Sequence, residues 1–250
     1  MASNNKYAML IECDLGTTLG GSCYRDVKNM GNHLVERCGF SNENIYILTT
    51  KVVKECIEGA KYGRSQTDIF KIANEISQKN PTQVVVLISG HGFSILDKNG
   101  DETDGKDEAI KIGNGYLTDD QLYEGIVKKI NCNLILLSDT CHSGTLFDLT
   151  YKYDDHSHQL IKNTKRDAND METSSTVISL SACNDAQLSM CDVGDDTGFG
   201  GSLTTAVLNI PNVLEDLIEC KNVVNVYDKI KNSLKLLGQN VVLSALSLSF

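Results

Sequence analysis

The sequence contains no tryptophan and only 2 prolines in 250 residues, and it has no low-complexity stretch or internal repeat. No apolar run approaches the roughly 18 residues that a bilayer-spanning helix needs, so a membrane partner is not expected. The start, MASNNKYAML, lacks both a basic opening and the apolar stretch of about 7–15 residues that marks a secretory signal. Only this short polar start precedes the first strand, which predicts no separate inhibitory prodomain. Basic residues are in deficit, 23 against 33 acidic, for a net charge of −10. That balance argues against nucleic acid or an anionic membrane as partner and favours cationic substrates. The 9 cysteines are odd in number and irregularly spaced, which argues against a disulfide framework. None forms a Cys-x-x-Cys pair, so a thiolate zinc site has little support. The expectation is a cytoplasmic chain in reducing surroundings.

What is present is an alternation of apolar runs and helical patterns. YAMLIEC (7–13), NIYILTT (44–50), QVVVLISG (83–90) and NLILLSD (133–139) read as buried strands. Between them, Val27, Met30 and Leu34, then Ile69, Ile72, Ala73 and Ile76, then Leu122, Ile126 and Ile130 recur at helical spacing. Thr67 is the expected cap of the second helix. Strands that are apolar throughout are buried on both faces, which predicts an α/β fold with a mostly parallel sheet between two helical layers. The polar stretch 151–175 reads as an exposed linker loop. TVISLSAC (176–183) is a fifth strand, followed by a Gly-rich loop (194–201), a helix from about Ser202, a last helix through Val226, Ile230, Leu234 and Leu237, and a closing strand (241–249).

Ligands bind beyond the carboxyl ends of the strands in such sheets. Two strand exits carry chemistry. ISGHG places His91 between two glycines, and SDTCHSG places Cys141 at the equivalent point. A cysteine nucleophile works as a thiolate and needs a nearby proton acceptor. His91 meets that need if the two strands are neighbours. His142 is the rival base, but adjacent residues on an extended chain point to opposite faces, so it is read as structural.

At these motifs the sequence resembles the metacaspases, caspase-like cysteine peptidases. SGHG, the following acidic loop and DTCHSG carry the likeness, which extends to LGGSCYRDVKNMGNHLVERCGF (19–40), DETDGKDEAI (101–110), LTDDQL (117–122), SLSACNDAQLS and GGSLTTAVL. DTCHSG differs from the Gln-Ala-Cys type of caspases proper. The resemblance implies a single domain over 1–250 with a caspase-like three-layer αβα sandwich. Residues 6–150 are then large-subunit-like and 176–250 small-subunit-like, with a monomer favoured. It implies His91 as general base and acid, Cys141 as nucleophile, and backbone amides of Gly92 and Cys141 as oxyanion hole. The primary specificity pocket falls on Cys23, Asp26, Ser89 and Asp139. Two carboxylates there select a cation, so the expected substrates are polypeptides cleaved after Arg or Lys.

The resemblance also implies Ca²⁺ as activating cofactor, held by Asp107, Asp119, Asp120 and Asp148. DKNGDETDGKDE (97–108) is not itself an EF-hand, because Glu102 stands where the loop needs glycine. Nor is it a phosphate-binding loop, because Asp107 stands where Ser or Thr is needed. Lys152, Lys162, Lys165 and Arg166 are candidate self-cleavage sites. The overall expectation is a calcium-dependent cysteine endopeptidase. The alternative is a catalytically weak pseudo-peptidase serving as a scaffold or a calcium-responsive interaction module.

Overall fold

The computed structural model describes residues 5–13, 21–49, 57–63, 65–97, 100, 105–113, 115–163, 175–184, 189, 193–195 and 198–248. In chain order these form β1 (Lys6–Glu12), α1 (Ser22–Cys38), β2 (Ile45–Leu48), β3 (Lys61–Gly63), α2 (Gln66–Gln78), β4 (Gln83–Gly90), β5 (Gly92–Leu96), β6 (Lys106–Ile112), β7 (Gly115–Thr118), α3 (Asp119–Leu122), β8 (Asn133–Thr140), β9 (Tyr151–Asp154), β10 (Gln159–Lys162), β11 (Val177–Ser181), β12 (Val193–Asp195), β13 (Gly198–Gly200), α4 (Ser202–Asn209), α5 (Val213–Ile218), α6 (Val223–Lys235) and β14 (Val242–Ala245). A π-helical turn, Tyr123–Val127, continues α3.

Nine strands form one sheet in the order β10-β9-β14-β11-β8-β4-β1-β2-β3. From β11 to β3 every pairing is parallel. β14, β9 and β10 extend the β11 edge with antiparallel pairings. Side chains alternate across the sheet, and both sets are apolar. Ala8 and Leu10 of β1, Val85 and Leu87 of β4, and Ile135 and Leu137 of β8 face Val27, Met30 and Leu34 of α1 and the inner faces of α4, α5 and α6. Met9, Ile11, Val84, Val86, Leu134 and Leu136 face Ile69, Ile72 and Ile76 of α2 and Leu122 and Ile126. The αβα sandwich thus follows from strands with two buried faces. Among the described residues no helix is long and apolar enough to cross a membrane.

Four local expectations are corrected. The stretch 151–175 is not simply an exposed loop, because its first part is the β9–β10 hairpin. Tyr153 is the inward residue of β9, and its ring meets Tyr227 edge-on at 5.4 Å. With one buried residue in β9 and none in β10, the hairpin has no hydrophobic run to announce it. The rest of that stretch, 164–174, lies outside the described residues. The cap of α2 is Ser65 rather than Thr67: its side chain accepts from the Asp68 amide while the Asp68 carboxylate accepts from the Ser65 amide. The Gly-rich loop contains the β12–β13 hairpin. Finally, β5, β6 and β7 form a separate antiparallel sheet, so Asp107 lies within a hairpin, opposite Ile95.

Candidate active site

Strand register delivers the two reactive side chains. β4 and β8 pair in parallel from Gln83↔Asn133 to Ser89↔Asp139 and Gly90↔Thr140. The next residues along the two chains are His91 and Cys141, so both leave the sheet at the same level. Both are half-buried, and both line a pocket of about 90 Å³ that also presents Cys23, Asp26, Ser89 and Asp139. The alternation that aims Val85, Leu87, Ile135 and Leu137 at α1 also aims Ser89 and Asp139 toward that layer. His142 has a left-handed backbone, φ 50°, and is not among the residues lining the pocket.

The two pocket carboxylates are held by a helix end. α4 starts at the N-cap Gly201, which has no side chain to cap the exposed amides of the first turn. The Gly201 amide donates to both Asp26 oxygens, at 3.0 Å each, and the Thr204 amide donates to Asp139 Oδ2 at 2.8 Å. The helix dipole favours anions at this end. Ser89 Oγ donates to Asp26 Oδ2 at 2.6 Å, and Ser189 Oγ donates to Asp139 Oδ1 at 2.9 Å. A side chain at Gly201 would run into the Asp139 carboxylate, so glycine is what lets the helix end come this close. These bonds do not offset burial. Desolvation, then the Asp139 charge, pushes Asp26 up to about 8, and burial also raises Asp139. Two buried carboxyl groups side by side do not both ionise readily, and a cation between them would relieve that.

Burial also raises the Cys141 thiol, and its Sγ lies 3.9 Å from the Ser189 carbonyl. The free thiol is therefore protonated, and forming a thiolate needs a base.

Residues 6–150 match the family model described as metacaspase, peptidase C14 domain, which is more than half of the chain. The chain belongs to the metacaspase family. Metacaspase-1 of Yarrowia lipolytica is 36% identical over 160 residues, covering 60% of this chain and 34% of that protein. Metacaspase-1A of Neurospora crassa is 33% identical over 138 residues (52% and 30%), and Metacaspase III c of Phaeodactylum tricornutum 34% over 140 residues (52% and 40%). The chain spans about a third of the length of the first two of these relatives. The crystal structure of a Geobacter sulfurreducens protein superposes with a TM-score of 0.58 at 20% identity, covering 91% of this chain and 88% of that one, which is a likeness of fold.

In this metacaspase Asp119 lies beside Asp148 of the loop after Cys141. Asp119 begins α3 after the Thr118 cap, and its carboxylate accepts from the Glu108 and Asp120 amides at 2.8 and 2.9 Å. Burial, then the Asp148 charge, pushes Asp119 up to about 9. Asp107 and Asp148 are buried as well, and Asp120 is half-buried. The four acids do not form a trio of ligand atoms within 4.8 Å of one another. Their carboxylate oxygens are the hard donor type that calcium takes, but the four are not drawn together as a ligand set. Glu108, which sequence reasoning missed, adds its charge to Asp119 and accepts from Thr145 Oγ1 at 2.7 Å, joining β6 to the loop after Cys141. Ser189, Gly201 and Thr204 were also missed. They reach Asp139, Asp26 and Asp139 across 50, 175 and 65 residues respectively, separations at which no local motif forms. Glu108 had a signal, since it ends the acidic run that drew attention to Asp107.

Gly92 occupies the tightest point of the site. A methyl group there would land on the Cys141 carbonyl oxygen, with Thr140 Oγ1 behind it. Gly92→Ala is expected to destabilise the fold by about 1–3 kcal/mol, the usual range for overpacking. It should also lower peptide cleavage more than that loss of stability explains. Urea unfolding beside rates on folded protein checks both.

Proposed function

We propose that this chain is a calcium-dependent cysteine endopeptidase that cleaves polypeptides after Arg or Lys. The observation that carries the reading is the β4–β8 register, with His91 and Cys141 leaving adjacent strands at one level above a pocket lined by Asp26 and Asp139. Family membership supports the nucleophile and base.

The basic side chain of the substrate enters between Asp26 and Asp139 and takes the place of the Ser189 hydroxyl on Asp139. Its charge meets two carboxylates that burial has left short of a counter-ion. His91 accepts the Cys141 proton, and the sulfur attacks the scissile carbonyl carbon. Backbone N–H groups of Gly92 and Cys141 stabilise the oxyanion, a contribution typically of about 10²–10³ in rate for one such donor. The tetrahedral intermediate collapses, His91 protonates the departing amine, and a thioester remains. Water, deprotonated by His91, then attacks the thioester, and the acid leaves as the thiol takes back its proton. The dyad and the pocket come from one chain, which supports a monomer as the working unit.

Asp107, Asp119, Asp120 and Asp148 would hold Ca²⁺, which would neutralise their buried charge and order the loop after Cys141. The raised Asp119 and its neighbour Asp148 support this reading. Self-cleavage follows from the same specificity. Lys162 ends the edge strand β10 and is the exposed candidate, whereas Lys152 is paired on both sides within the sheet. Lys165 and Arg166 lie outside the described residues.

Fluorogenic peptides ending in Arg, Lys or Asp, assayed with and without calcium, test the proposal. Release from Arg and Lys peptides only, rising at least tenfold with calcium, is the expected result. Preference for Asp would reject the pocket reading. Equal rates with a chelator present would remove the calcium dependence.

A further inference from the structure

A second cluster of reactive side chains lies on the far half of α1. His33 and Cys38 of α1 and Glu215 of α5 bring an imidazole nitrogen, a thiol sulfur and a carboxylate oxygen within 4.8 Å of one another, the one such trio among the described residues. His33 Nε2 and Glu215 Oε1 are 3.3 Å apart. Cys38 is buried at 9% exposure, while the His33 and Glu215 side chains keep 13% and 29%. The cluster opens on a cavity of about 470 Å³ lined by His33, Glu36, Arg37, Asn212 and Glu215. No residue lines both this cavity and the Cys141 pocket.

We propose that His33, Cys38 and Glu215 bind a Zn²⁺ ion, with a water molecule from the adjoining cavity as the fourth ligand. One nitrogen, one sulfur and one carboxylate oxygen form the mixed donor set that zinc accepts, and three protein ligands with an open fourth position are a common zinc arrangement. The sulfur separates this site from calcium and magnesium, which take oxygen ligands. Zinc bonds of about 2.0–2.3 Å put tetrahedral ligand atoms about 3.3–3.8 Å apart. The His33–Glu215 pair already meets that spacing. The sulfur, within 4.8 Å of the other two atoms, needs to close by at most about 1.3 Å to the roughly 3.5 Å of a tetrahedral sulfur–nitrogen or sulfur–oxygen pair, within the reach of side-chain rotation. Burial and the Glu215 charge push the Cys38 thiol up, against the opposing charges of Lys6 and Arg37. On binding, the thiol proton goes to solvent and the metal charge holds the thiolate.

The site joins helices whose ligands lie 182 residues apart in sequence. It also sits on the helix that carries Cys23 and Asp26. His33 follows Asp26 by two turns, about 10 Å along the axis and on the same stripe. The bound ion therefore pins α1 from the end opposite the pocket. The missing Cys-x-x-Cys pattern says nothing against it, because this site uses one thiol and draws a ligand from a separate helix.

Cobalt titration of the full chain carrying Cys141→Ala tests the proposal, with the nucleophile removed so that it contributes no sulfur. One equivalent of Co²⁺ should give a sulfur-to-cobalt charge-transfer band together with tetrahedral visible bands, and Zn²⁺ should displace it. In this background, Cys38→Ser should abolish the charge-transfer band. His33→Gln and Glu215→Gln should each weaken binding at least as much as the roughly 10–100-fold lost when an outer-shell partner is removed. Those two variants also read the site if Cys38→Ser does not fold. Absence of a charge-transfer band at one equivalent, or a band that persists unchanged in His33→Gln and Glu215→Gln, would overturn the assignment. His33 and Glu215 would then be an ion pair and Cys38 a core thiol.

Discussion

Cys141→Ala protein is expected to lose peptide cleavage by about a million-fold, the scale seen when a serine protease loses its nucleophile. The expectation rests on position. Cys141 leaves β8 level with His91 on β4, and the thiol that burial holds protonated has no other part in the chemistry. The substitution removes one sulfur from a half-buried site, so folding should be nearly unchanged. Thermal unfolding beside single-turnover rates separates the two effects. Cleavage that survives in Cys141→Ala would reject the nucleophile, and intact cleavage in His91→Ala would reject the base. A chain that folds and binds Arg peptides while the unsubstituted protein cleaves none would favour the scaffold reading.

Asp139→Asn should lower kcat/KM for Arg peptides by roughly a hundred- to a few thousand-fold and raise stability at the same time. Breaking one side of a buried ion pair typically costs about 3–5 kcal/mol, which sets the size of the first effect. Asparagine keeps the shape and an oxygen that can accept from Thr204, so the α4 cap survives. The gain in stability comes from removing one of two buried like charges. Its pH dependence follows from the sign of the shift. Asp26 rises from 3.8 to about 8 in the folded chain, so between these values the native state holds a proton that the unfolded state has released. Stability from this group is present below about pH 4 and declines as pH rises to about 8. Asp26→Asn should flatten that decline. Urea midpoints at pH 5 and pH 8 for the three proteins check it. A steeper decline in Asp26→Asn would contradict the assignment.

The parts of the site that local sequence revealed are those on strand exits. Continuous apolar strands and helical spacing between them gave the parallel sheet, and the same runs ended at His91 and Cys141. β5, β7, β9 and β10 escaped notice because each buries at most one residue, and a period of two is weak over four or five positions; β6 buries five of its seven residues but starts inside the acidic run that read as a loop. Asp26 was visible as one acid in CYRD. Its raised titration was not, because that comes first from burial under the packed layers and then from Asp139, 113 residues away in sequence.

Sequence alone determined the fold class and the two strand ends that carry a thiol and an imidazole, while the acidic pocket residues came from the family resemblance. The first two are written in short stretches whose physics is local: burial of alternate faces, and the type of residue at a strand exit. Tertiary structure decided the rest. Parallel pairing of β4 with β8 put His91 level with Cys141. The amide-rich start of α4, reached only through Gly201, gathered Asp26 and Asp139 around one pocket. The helix contact between α1 and α5 brought His33 and Cys38 to Glu215. Each of these depends on chain segments distant in sequence, and the energies that hold them, burial and charge proximity, exist only once the layers have packed.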